Sequence, residues 1–175
     1  MAKTCLNKIS GNILQNCVIS PVGVKEIYLM HVEDVTLTFD KGVLALSNVV
    51  FAAGAKSYKV EGYKQNIQVT SSLRSLDASA KLDISVSFKM YHNRRDDWRA
   101  LLAGRFYVMV VYNDVVSPPV FIGGVSPLEV TASDFDSNAG AGLATFTLGA
   151  PEGSAGNYFT TVTTAARASI IAKSV

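Results

Sequence analysis

The chain has 175 residues, a length that fits one domain with a sizeable core, and only 17% of them are charged against 49% hydrophobic. A net charge of +2 is too small to argue for a nucleic-acid grip, and no apolar run approaches the ~20 residues that a membrane-spanning helix needs. With no hydrophobic core of signal-peptide type in MAKTCLNKISGN, so charge-poor a chain is expected to hide much of its surface against other chains.

The first 23 residues form an arm that holds both cysteines, Cys5 and Cys17. Two thiols are too few for a four-ligand zinc site, and both read as small apolar side chains. Strands are then expected at residues 25–31 (KEIYLMH), 35–39 and 43–51, as a meander with turns near Glu33-Asp34 and Asp40-Lys41-Gly42, and a short one at 56–61.

The strongest pattern lies in KLDISVSFKMYH. Leu82, Ile84, Val86, Phe88 and Met90 alternate with Lys81, Asp83, Ser85, Ser87 and Lys89, the period of a strand with one wet face. Ile67, Val69, Ser71 and Leu73 alternate in the same way with Asn66, Gln68, Thr70, Ser72 and Arg74. Residues 63–90 are therefore predicted to form a long hairpin, with the polar SLRSLDASAK as an extended tip.

YHNRRDDWRALLAG follows. Asn93 suits an N-cap, Asp96 suits the first turn, and Gly104 suits the stop. Trp98, Leu101 and Leu102, at i, i+3 and i+4, predict one packing stripe on a short helix over residues 94–103. Residues 105–112 (RFYVMVVY) read as a strand buried on both faces. Residues 120–122, 128–132 and 143–148 complete the strands, and residues 160–173 read as a strand followed by a helix. The whole is a single, mainly β domain, a sandwich or a partly open barrel with one short flanking helix.

The search for chemistry is largely negative. His31 and His92 sit in no metal spacing, no nucleophile elbow or Walker loop occurs, and Asp134 and Asp136 lack the rest of a calcium loop. The least poor catalytic set, His92 with Asp96 and Asp97, puts two adjacent carboxylates on different helix faces. No enzyme, metal or cofactor is expected. Between residues 106 and 166 there is no Lys or Arg, and five acidic residues give −5, so the remainder carries +7 of the net +2. This asymmetry suits copies of one chain meeting in a fixed orientation.

The order of features resembles the major tail tube proteins of tailed bacteriophages. The likeness runs from CLNKISGNILQNCVISPVGVKEIYLMHVEDV through the long hairpin and helix to GRFYVMVVYND and FIGGVSPLEVTASDFDSNAGAGLATFTLGAPEGS. It implies six-membered rings whose inner sheets join around a lumen and stack into a tube. Its partners would be copies of itself, the tape-measure protein, tail terminator and baseplate or tail-tip proteins, and genomic DNA in passing. The setting would be a virion tail assembled in the host cytoplasm. Related contractile injection or secretion machines use similar tubes, and an Ig-like virion decoration or binding module is the competing class.

On this reading Asn66, Gln68, Thr70, Ser72, Asp83, Ser85 and Ser87 face the lumen, where sparse charge avoids gripping DNA. Leu73, Leu76, Arg94, Arg95 and Arg99 are expected at subunit interfaces. Trp98, Leu101 and Leu102 are expected to pack the helix onto the core.

Overall fold

The computed structural model describes residues 23–40, 45–62, 66–76, 79–91, 95–113, 117–135, 143–154 and 156–175. In chain order these form β1 (Val24–His31), β2 (Val35–Asp40), β3 (Ala45–Phe51), β4 (Tyr58–Glu61), β5 (Ile67–Leu76) and β6 (Ser79–Tyr91). Then come α1 (Arg95–Ala103), β7 (Phe106–Tyr112), β8 (Val120–Ile122), β9 (Glu129–Phe135), β10 (Leu143–Gly149), β11 (Thr160–Val162) and α2 (Thr164–Ala172). The strands make a seven-stranded sheet, ordered β2-β3-β11-β8-β7-β1-β4, and a four-stranded sheet, ordered β5-β6-β10-β9. The fold is the mainly β sandwich expected, with its two sheets not closed into a barrel.

The large sheet is the middle layer. Its inner face (Ile27, Leu29, Phe106, Val108, Val110, Ile122) meets Ile84, Val86, Phe88, Phe146 and Leu148 of the small sheet. Its outer face (Tyr28, Met30, Leu46, Val49, Met109, Val111, Phe121) packs with Ala166 and Ile170 of α2. This explains the unbroken apolar run of β7, whose alternate residues enter two different cores. Burying each of these large side chains stabilises the fold by about 1.5–3 kcal/mol.

Two sequence expectations need correction. β1, β2 and β3 do not form a meander: a 3₁₀ turn at Val32–Asp34 turns the chain away, and β1 pairs instead with β4 and β7. β2 and β3 pair with each other at the far edge of the sheet. β1 is buried on both faces from Glu26 to Met30, so it belongs in the sheet interior, whereas β2 alternates between half-buried and exposed positions. The hairpin tip is also shorter than expected. SLRSLDASAK is mostly strand, because pairing continues through Arg74↔Lys81, Ser75↔Ala80 and Leu76↔Ser79. A connection of two residues keeps that register, and small polar residues remain compatible with a strand that has no core to cover.

The chain crosses between sheets after β8. Gly123, at φ +104°, takes a backbone conformation closed to most L-residues, and Leu128 then exchanges hydrogen bonds with Phe106 before β9 begins in the other sheet. The crossing is locked by Asn157, only 1% exposed. Its Oδ1 accepts from Ser126 N (3.2 Å) and its Nδ2 donates to Ser126 O (2.8 Å). α2 is anchored at both ends. Thr163 Oγ1 accepts from Ala166 N and donates to the Ser47 carbonyl, and buried Ser57 donates to the Ile170 carbonyl at 2.7 Å. The arm with Cys5 and Cys17, and the capping position Asn93, lie outside the described residues.

Candidate assembly surface

The outward face of the small sheet gathers most of the residues expected to face a lumen. Register sets Gln68 opposite Ser87, Thr70 opposite Ser85 and Ser72 opposite Asp83. β10 extends the face, with Thr147 beside Ser87 and Thr145 beside Lys89, and β9 adds Asp134 beside Thr145. Hydroxyls pair across the strands. Thr70 Oγ1 and Ser85 Oγ lie 2.6 Å apart, and Ser87 Oγ and Thr147 Oγ1 lie 2.9 Å apart. Asn66 precedes β5, and its amide donates to the Glu61 carbonyl at 3.5 Å. Thr145 and Thr147 were absent from the sequence reading, although LATFTLG alternates as clearly as the hairpin does.

This sheet ends in β5 on one side and β9 on the other. From Ile67 to Leu73, β5 carries no charge and no proline, and its pairing with β6 has no register shift. Protective charges, prolines and bulges normally blunt an exposed edge against strand addition, and this stretch lacks all three.

α1 closes one end of the sandwich. Trp98 lies against Phe135 (5.6 Å between ring centroids) and Phe146 (5.7 Å), and Leu101 is 6% exposed. Leu102 does not share this contact and is 58% exposed. One residue is 100° around a helix, so a contact face centred between Trp98 and Leu101 turns Leu102 out. Gly104 ends the helix where a side chain would strike the Phe106 ring. Of the expected interface residues, Leu73 and Arg99 are exposed. Arg95 begins α1 and Leu76 ends β5, while Arg94 lies outside the described residues.

Beneath α1, a recess of about 350 Å³ opens between the sheets. It is lined by Leu29, Val60, Phe88, Met90, Leu101 and Phe106, with His31, Tyr58 and Asp97 among its polar members. The His31 ring lies 4.7 Å from Phe106 and edge-on to Tyr58 at 5.9 Å. His92 falls outside the described residues, and among the described residues no group of three or more His, Cys, Asp or Glu side chains could hold a metal ion.

A second charged cluster, missed in the sequence reading, lies on the outer face of the large sheet. Tyr28 donates its hydroxyl to Glu26 Oε1 at 3.0 Å, while Lys59 Nζ sits 3.3 Å from Glu26 Oε2 and 2.7 Å from Glu61 Oε1. The one signal for it was a carboxylate, Glu26, inside a largely buried strand. Hydrogen bonding to Glu61 raises the Lys59 pKa, and the same contact lowers that of Glu61. Burial, with the bond to Glu26, raises the Tyr28 pKa. A lysine held protonated and a tyrosine held as phenol are poorly suited to act as nucleophile or base, so the cluster reads as structural. No helix among the described residues is long and apolar enough to cross a membrane. No protein-family model, curated protein or solved structure matches this chain.

Proposed function

We propose that the protein is the structural subunit of a phage tail tube. On this reading it forms six-membered rings that stack around a lumen, which holds a tape-measure protein and later conducts DNA. The observation that carries the reading is the small sheet, which joins a hydroxyl-rich outward face to an unblunted β5 edge and a second outer strand, β9. Joining β5 of one copy to β9 of the next satisfies both backbone edges and closes a ring of sheets. The face turned to the lumen would then be polar with few cations, which limits the phosphate contacts that slow DNA passage. The low charge of the whole chain fits a subunit that covers its remaining surface with neighbours.

Negative-stain microscopy of the purified protein tests the proposal. Hollow tubes or six-fold rings are expected. Compact single particles at high protein concentration would contradict it and favour a binding module.

A further inference from the structure

We propose that the recess beneath α1 is a binding site for a small, uncharged aromatic molecule that carries a hydrogen-bond donor. This inference does not depend on the tube reading. Buried Phe88 and Phe106 close the floor of the recess. Its walls include His31, Val60 and Met90, all half-buried, and its mouth includes Tyr58, Asp97 and Ala100, all exposed. The part that water reaches is therefore mostly apolar or aromatic, and a volume of about 350 Å³ falls within the range of small-molecule pockets. Water against such walls finds few polar partners, so an apolar occupant that displaces it gains affinity.

The walls select the occupant. The His31 ring is tilted against Phe106 at 4.7 Å and meets Tyr58 edge-on at 5.9 Å. Rings set at several angles around one space suit a flat guest that packs offset against one and edge-on against another. Met90, with its unbranched thioether, adapts to such a ring. An extended peptide fits less well. Strand addition needs open backbone groups, and the outer edge of β4 has already used its own. Lys59 N donates to the Val175 carbonyl at 3.5 Å, Ser57 N donates to the Lys173 carbonyl at 3.0 Å, and the Ser57 carbonyl accepts from Val175 N at 3.1 Å.

Charge selects further. Lys59 lines the recess, but it is the register partner of Tyr28, and Glu26 and Glu61 hold its ammonium on the opposite face of the sheet. Asp97 stands at the mouth. An anionic guest would leave its hydration for apolar walls and meet a carboxylate. An N–H or O–H on a neutral ring meets an acceptor there instead, since an ionised carboxylate offers about four acceptor positions.

N-Phenyl-1-naphthylamine, a neutral fluorophore with a single N–H, tests the site on the full chain. Saturable binding with a dissociation constant below about 100 μM is expected. 2-Naphthol should displace it, whereas 2-naphthoate, of similar shape but negatively charged, should bind about tenfold more weakly or worse. Ala100→Trp, at an exposed position, should fill the mouth and abolish the saturable signal while circular dichroism stays that of the parent. Methyl NMR of the unassembled parent needs no variant. The Met90 methyl should shift with 2-naphthol, and Met30 and Met109, buried in the other core, should not. Absence of saturable binding, equal affinity for 2-naphthoate, or an unmoved Met90 methyl would overturn the proposal. Six-fold tubes without this binding would overturn the site alone, and binding by a chain that forms no tubes would support the site while contradicting the tube reading.

Discussion

At the scale of single residues, the charges of the Glu26 cluster hold structure together. Lys59 bridges a nearly buried carboxylate and an exposed one, so Lys59→Met removes the cation from both. A charge-assisted hydrogen bond to a buried carboxylate contributes about 1–2 kcal/mol once the partial exposure of Lys59 is discounted, and the variant is expected to lose roughly that much in chemical denaturation. The Glu61 contact has a separate signature. Its folded pKa is depressed, so its small contribution is present at neutral pH and disappears as pH falls through that depressed value. In Lys59→Met, NMR titration should find the Glu61 carboxyl back in the ordinary range. An unchanged Glu61 titration would remove Lys59 as the cause. Tyr28 works in the opposite direction. Its raised pKa means that stability is lost as pH rises beyond the ordinary tyrosine range.

At the scale of elements, α1 shows how far local pattern reaches. Spacing alone placed Trp98, Leu101 and Leu102 on one stripe, but the sheet touches only part of it. Leu101→Ala is therefore expected to destabilise by about 2–4 kcal/mol, and Leu102→Ala by less than about 0.5 kcal/mol, both measured by denaturant unfolding. Equal losses would mean that α1 is rotated from its described position. The alternation of KLDISVSFKMYH was legible because a strand with one wet face writes its period directly into the chain. The double burial of β7 was legible for the converse reason, as apolar residues at both parities. Partner choice was not legible. β1 bypasses β2 to lie between β4 and β7, a pairing decided by long-range burial and by the 3₁₀ turn at Val32–Asp34. Of the polar face, the β5 and β6 residues could be read from their alternation, whereas its continuation through Thr145 and Thr147 depends on β10 pairing with β6.

At the scale of the whole molecule, three layers have separate tasks. α2 and the large sheet bury one core, and the two sheets bury the other. The small sheet then presents a polar outward face and the unblunted edge of β5. On the proposed tube reading its strands would face the lumen, and α2, on the far side, would face outward. A cryo-electron microscopy reconstruction of the assembled protein tests this arrangement most directly. The account predicts a hollow six-fold tube with Gln68, Thr70, Ser85, Ser87 and Thr147 lining the lumen and α2 on the outside. Discrete monomers under assembly conditions, or a tube whose lumen is lined by α2, would contradict it.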